Sequence, residues 1–197
     1  TARGNAFTAT ADNPSAIYYN PAGITQLEGQ NVQAGFYLVN ANITIKPLSG
    51  GKVENKFEFQ PVPELYYTAK PSKDLPITLG IGVYAPYGLG LQYDNDSSIR
   101  TLAVRGKLLY ATVNPVIAWK VSDSFSIAVG PTLNYSVVHF RRGLGLGAPG
   151  DLFRTEGDAF APGFSAGAMW QPHEQWSLGV KYHHETDRKS TRLNSSH

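Results

Sequence analysis

Between Ser124 and Val137 the chain alternates with period two: Phe125, Ile127, Val129, Pro131, Leu133, Tyr135 and Val137 share one face, and Ser124, Ser126, Ala128, Gly130, Thr132, Asn134 and Ser136 share the other. That period is the signature of an extended strand, because successive side chains point to opposite sides of the backbone. One face is greasy and the other small and polar. A second segment sets Leu109, Ala111, Val113, Pro115, Ile117, Trp119 and Val121 against Tyr110, Thr112, Asn114 and Lys120. A third sets Trp176, Leu178, Val180 and Tyr182 against Ser177, Gly179, Lys181 and His183. Further candidate strands cover roughly Asn31 to Lys46, Phe57 to Lys70, Pro76 to Tyr87 and Ala159 to Trp170.

Many of these seven segments reach ten residues or more, whereas strands of soluble sheets average about five or six. A tilted strand crosses a bilayer in about 9–11 residues. The chain has no stretch of ~18 consecutive apolar residues, the length a membrane helix needs. A long run without Asp, Glu, Lys or Arg such as Ser124 to Phe140 is broken by Ser, Thr, Asn, Gly and Pro. Membrane insertion is therefore open only to a closed barrel, since lipid satisfies no backbone hydrogen bond.

The connections alternate in length. Long, Gly-rich or charged ones are expected around Pro47 to Lys56, Gly88 to Arg105 and Arg141 to Asp158, and short turns at Pro71 to Leu75, Ser122 to Ser124 and Gln171 to Gln175. Long loops on one rim and tight turns on the other are the outer-membrane pattern, the long ones facing outward. Trp119, Trp170 and Trp176 all fall close to a short turn, as expected of indoles at the periplasmic interface. The alternative is a soluble β-sandwich with tryptophan core anchors, although sandwiches rarely sort their loops this way. The fold class expected is all-β, a transmembrane antiparallel β-barrel.

Residues 1–29 differ, being rich in Ala, Thr and Asn without strand-like alternation. Asn13-Pro14 and Asn20-Pro21 each place a good N-cap before a residue whose fixed φ suits the first helical position, which predicts two short helical turns. A plain loop with two turns fits the local sequence as well.

At the other end, Asp187 to His197 (DRKSTRLNSSH) matches, codon for codon, the in-frame translation of a common sequencing adapter, and is read as a non-native tail. The opening at Thr1, without initiator Met or signal-like segment, is read as a removed signal or a missing start. The chain carries 17 Lys and Arg against 15 Asp and Glu; without the three basic residues and one acid of the tail, both counts fall to 14. Charge balance therefore gives no reason to expect nucleic acid as a partner. The absence of cysteine fits an oxidising compartment and removes thiolate chemistry.

The block GNAFTATADNPSAIYYNPAGITQLEG, Gly4 to Gly29, resembles the hatch segment of the FadL long-chain fatty acid transporter family, with its Asn-Pro-Ala-Gly signature at Asn20, Pro21, Ala22 and Gly23. LGIGVYAPYGLGLQY (Leu79 to Tyr93) and NPVIAWKVSDSFSIAVG (Asn114 to Gly130) resemble early strands of that family. The resemblance covers nearly all of residues 4 to 186. It implies a fourteen-stranded barrel plugged by its N-terminal segment, in the outer membrane of a Gram-negative bacterium. Residues 1–29 would be the hatch and 30–186 the first half of the wall, with 187–197 excluded. The implied function is diffusion-driven uptake of long-chain fatty acids or other hydrophobic molecules, with the bilayer and its lipopolysaccharide as surroundings. No cofactor, metal or nucleic-acid partner is implied, and the full-length protein is expected to be a monomer.

Two groups are candidates for this work. Ala85-Pro86-Tyr87-Gly88 interrupts a strand pattern with a residue lacking an N–H and one lacking a side chain, which marks a candidate kink and lateral opening; a strand simply ending there is the alternative. Leu144, Leu146, Ala148, Pro149, Leu152 and Phe153 beside Arg141, Arg142 and Arg154 would suit an apolar tail with a carboxylate head, and a solvated Gly-rich loop suits the pattern equally.

Catalytic patterns are thin. Gly143-Leu-Gly145-Leu-Gly147 lacks the helix and Lys-Ser/Thr of a phosphate loop. His183 and His184, adjacent on a strand, point to opposite faces and so cannot converge on a metal with Glu185 or His173. Neither G-x-S-x-G nor H-E-x-x-H occurs, and His139 is the one histidine near the outer rim. An enzyme is not expected; an adhesive or structural barrel, or less favourably a barrel enzyme, are the competing readings.

Overall fold

The alternating segments pair into one antiparallel sheet in which every strand is bonded to its predecessor and successor along the chain. Its members are β1 (Gln30–Val39), β4 (Gln60–Ala69), β5 (Ile77–Gln92), β6 (Arg105–Lys120), β7 (Phe125–Gly143), β8 (Leu152–His173) and β9 (Trp176–His183), in that order across the sheet. A small hairpin, β2 (Thr44–Ile45) with β3 (Val53–Glu54), stands in the first long connection. The computed structural model describes residues 7–48, 50–146, 150–173 and 175–184. The tail at 187–197, residues 1–6 of the hatch segment, Gly147, Ala148, Pro149 and Glu185 lie outside the described residues. Among the described residues no helix is long and apolar enough to cross a membrane.

Burial follows the alternation with inverted sense. In β7, Phe125 is 37% and Leu133 41% exposed, whereas Ser126 is 5% and Thr132 0% exposed. The greasy face points away from the protein. Cross-strand register carries that face through the sheet in rows: Trp119, Ile127 and Ala168; Ile117, Val129 and Ala166; Val113, Leu133 and Pro162; Ala111, Tyr135 and Phe160. From Phe125 to Tyr135 is ten residue steps, or ~33 Å along the strand at ~3.3 Å each, and about 25 Å of height at a tilt of about 40°. That matches the apolar band of a membrane barrel. Trp119, Trp170 and Trp176 are all exposed beside short turns.

Two of the expected long loops, Gly88 to Arg105 and Arg141 to Asp158, are shorter than expected. β5 continues to Gln92, β7 to Gly143 and β8 starts at Leu152, so Gly88 to Gln92, Arg141 to Gly143 and Leu152 to Asp158 are strand. Conversely, β1 ends at Val39, not near Lys46. Above the bilayer both sheet faces meet water, so hydrophobic alternation lapses while the backbone ladder runs on. The outer face there carries the rows Lys107, His139 and Glu156, then Arg105, Arg141 and Arg154.

Residues 7–29 lie against the small, polar inner face. Helix α1 (Ala16–Tyr19) and a 3-10 turn η1 (Pro21–Gln26) pack on β5, β6, β7 and β8. Asn20, with extended backbone, caps η1 by accepting from the Ala22 N–H at 3.2 Å, and Pro21 opens the turn, as its sequence predicts. At the first Asn-Pro step, Asn13 Oδ1 accepts from the Ser15 N–H at 3.0 Å in a side-chain turn, and α1 begins after Ser15. Ala11, Ala16, Ile17, Ala22 and Ile24 form a core with Tyr66, Tyr84, Val116, Ala118, Ala128 and Met169 of the wall. Burying Ile17 and Ile24 contributes about 1.5–3 kcal/mol each.

Candidate functional site

Asn20 is the joint between this segment and the wall. Its Nδ2 donates to the Thr8 carbonyl at 2.9 Å and to the Ala168 carbonyl of β8 at 3.1 Å, and the side chain is wholly buried. The wall makes room with glycine. A Cβ on Gly167 would stand 2.2 Å from Asn20 Oδ1, one on Gly179 2.2 Å from the Thr8 carbonyl oxygen, and one on Gly80 2.9 Å from Ile17. Within the segment, a Cβ on Gly23 would stand 2.3 Å from that of Ala11, whose φ is +39°. Each member of Asn20-Pro21-Ala22-Gly23 therefore has a separate packing role. Ser126 Oγ donates to the Ala22 carbonyl at 3.2 Å, while Ser177 Oγ and Lys181 Nζ donate to the carbonyls of Ala9 and Tyr18.

The second feature is in the wall. Tyr84 pairs with Thr112 and Tyr87 with Tyr110, so β5 spends three residues where β6 spends two, and Ala85 and Pro86 fall in a bulge. The strand does not end there. Tyr87 and Gly88 are back in the ladder opposite Tyr110 and Leu109, so the irregularity is confined to half of the four-residue stretch expected. An odd residue reverses the facing of everything beyond it. Below the bulge Thr78, Gly80, Gly82 and Tyr84 face inward. Above it Tyr87, Leu89 and Leu91 do, on the rows of Tyr110 and Ser136, Leu108 and Val138, and Gly106 and Phe140. The inner wall thus changes from small and polar to apolar at the bulge.

On its other side β5 loses its neighbour at the same height. Pairing of β4 with β5 runs from Ala69 and Leu79 only as far as Glu64 and Tyr84, although β4 continues to Gln60 against β1. Pro61 and Pro63 lie in the unpaired stretch. Residues two apart in a strand direct their N–H groups to the same neighbour, so the pair removes two donors from one side. A cavity of about 320 Å³ occupies this gap, lined by Tyr18, Tyr19, Tyr37, Val62, Pro63, Glu64, Tyr66, Tyr84, Ala85 and Pro86. The Tyr18 ring meets Tyr84 edge-on at 5.0 Å and Tyr84 stacks with Tyr66 at 5.8 Å. Burial raises the Tyr18 and Tyr19 hydroxyls above the ordinary phenol range, so both stay neutral donors.

The ladder between β6 and β7 also lapses, without a register shift, at Asn114 to Val116 opposite Gly130 to Thr132. That lapse is sealed from inside. Ser165 Oγ donates to the Gly130 carbonyl at 3.4 Å and bonds Asn114 at 3.2 Å, and Asn114 Nδ2 reaches the Tyr84 hydroxyl at 3.2 Å.

The candidate capture residues do not converge. Arg141 and Arg154 face each other across β7 and β8 on the outer face, with Arg154 3.7 Å from Glu156. Arg142 and Phe153 pair on the opposite face, the guanidinium 5.4 Å above the ring centroid. Leu144 and Leu146 stand exposed in the connection between them. His184 stacks on Phe164 at 5.3 Å. Pro61, Pro63, Glu64 and the tyrosines of the gap carry no motif; the Pro-x-Pro spacing inside an alternating segment was the one signal available for them.

A family model described as outer membrane protein transport protein (OMPP1/FadL/TodX) matches residues 1–192. Outer membrane protein P1 of Haemophilus influenzae is 23% identical over 228 aligned positions, covering 91% of this chain and 49% of that protein. An outer membrane protein of Neisseria meningitidis serogroup B is 32% identical over 111 residues, 49% of this chain and 22% of its own length. Among solved structures, the Pseudomonas putida toluene transporter TodX superposes with a TM-score of 0.73 at 16% identity, covering 87% of this chain and 51% of that one. A Pseudomonas aeruginosa FadL homologue gives 0.67 at 22% identity, covering 86% and 47%. The chain spans about half the length or less of the relatives it matches. With the inverted faces, the apolar band and the inner N-terminal segment in place, the chain belongs to the OMPP1/FadL/TodX family of outer membrane transport proteins and carries part of its β-barrel wall.

Proposed function

We propose that the full-length protein lets hydrophobic compounds diffuse across the outer membrane, with the segment up to Gly29 as the plug of the lumen and the gap between β4 and β5 as the way out into the bilayer. The observation that carries this reading is the cavity at that gap, flanked by Pro63 and Pro86 and floored by Tyr18 and Tyr19 of the plug. A molecule with little polarity loses nothing by leaving through a wall whose outer surface is apolar, whereas a hydrated solute would have to shed its water. The apolar upper inner wall above the bulge supplies a binding surface on the way in. No bond is made or broken in such a route, so ligand capture, desolvation and plug movement are the only steps the protein must support. Candidate cargoes are monoaromatic hydrocarbons and long-chain fatty acids, the latter leaving through the gap as the uncharged acid. The test is uptake of labelled hydrophobic compounds by cells with and without the full-length gene. Faster entry with the gene is expected, and equal rates would overturn the proposal in favour of a structural or adhesive barrel.

A further inference from the structure

We infer that the gap between β4 and β5 selects by charge, with Glu64 as its specificity-determining residue, passing uncharged apolar molecules and turning back carboxylates. This rests on the gap being the exit proposed above. Among the described residues lining the cavity, Glu64 is the one that carries a formal charge, and none is Lys or Arg. Glu64 lies on the inner face of β4, pairs with Gly35 of β1, and has its Oε1 2.9 Å from where a Gly35 Cβ would stand. The glycine lets the carboxylate fold against the backbone beside the opening, and no ion-pair partner reaches it among the described residues.

Lys181, which stands behind Tyr18 of the lining, is already engaged. Lys181 donates to the Tyr18 carbonyl, and its ammonium stands 4.6 Å from the Tyr18 ring centroid. An anionic head group entering the cavity therefore meets a like charge, with no counter-charge among the described residues of the lining. Two unit charges about 6 Å apart at an effective dielectric of about 20 correspond to roughly a hundred-fold penalty, and partial hydration brings it to about ten-fold or more. The remaining lining favours a flat apolar guest. Tyr18, Tyr66 and Tyr84 present ring faces and edges, which suit aromatic or hydrocarbon surface. The cavity volume, about 320 Å³, admits such a molecule.

The experiment compares entry of toluene, methyl palmitate and palmitate at neutral pH into cells carrying the full-length protein, its E64Q variant, or no protein. Palmitate and its methyl ester share the chain and differ in the charge, so chain length is controlled. Toluene and methyl palmitate should enter at least about ten-fold faster than palmitate, measured above the cells without protein. E64Q should raise palmitate entry by a similar factor and bring the ratio of ester to acid entry towards one, with unchanged heat-modifiable migration showing that the variant is folded. If E64Q perturbs all three, Glu64→Ala replaces it in the same comparison. Equal entry of palmitate and its ester, or an unchanged ratio in both variants, overturns charge selection while leaving transport standing. Entry of none of the three above cells without protein overturns the transport proposal and this inference with it.

Discussion

Asn20 shows how one side chain ties the inner segment together and to the wall. It caps its own turn through Oδ1 and spends both protons of Nδ2 on carbonyls of Thr8 and Ala168, so all its polar capacity is used inside a buried joint. Asn20→Ala takes their side-chain partner from the Thr8 carbonyl and the Ala22 N–H and one partner from the ladder-bonded Ala168 carbonyl, at about 1–3 kcal/mol for each group left unsatisfied. Gly167→Ala attacks the same joint from the wall, since its Cβ would stand 2.2 Å from Asn20 Oδ1. Overpacking of that kind costs about 1–3 kcal/mol. Both variants are expected to speed hydrogen exchange at the Ala22 and Gly23 amides with strand amides unchanged. Gly106→Ala, which has nothing within 4 Å of the added carbon, should behave as the parent. Matching exchange in all of them would show that the joint does not hold the segment.

At the scale of an element, β5 is two strands of opposite facing joined at Ala85-Pro86. Deleting Ala85 removes the surplus residue, so Pro86 comes to lie opposite Ala111, the register against β6 becomes continuous, and Leu89 and Leu91 keep their inward facing. The deletion is expected to leave a folded barrel, seen as unchanged heat-modifiable migration of the full-length protein, and to cut uptake of hydrophobic compounds to the level of cells without it. Retained uptake would separate the bulge from transport. Pro86 was legible in the sequence as a candidate kink, with a strand end as the alternative. Whether a proline ends a strand or bulges it depends on whether the neighbouring strand continues. Here β6 does so to Arg105.

For the molecule as a whole, the inverted sheet is stable only with lipid on its outer face and a filled or watered lumen on the other. Val129 sits near the middle of the apolar band, opposite Ile117 and Ala166. Val129→Arg should destabilise the full-length barrel by about 2–4 kcal/mol in vesicles, read from urea unfolding, while a charge placed near the rim should cost at most about 1 kcal/mol. Equal costs at the two depths would mean that this face does not lie in a bilayer. The sheet has β1 and β9 as open edges, whose backbone groups require further strands before any bilayer can accept them.

Period two, its inverted polarity, the alternation of loop lengths and the tryptophan positions were all written in the sequence. They are local consequences of strand geometry and of the medium on each face, and from them came the barrel class; of the two caps expected at the Asn-Pro steps, the one at Asn20 formed, while at the first step α1 starts after Ser15. Strand ends above the bilayer were not legible, because alternation stops reporting where both faces are wet. Of the lateral gap, only the β5 side, Ala85 to Gly88, stood in the sequence as a candidate opening. Pro61, Pro63 and Pro86 lie far apart in the chain, and Tyr18, Tyr19 and Glu64 join them only once the pairing of β4 with β5 has failed at one height. That failure is a property of two strands and a plug together, so tertiary structure alone could decide it.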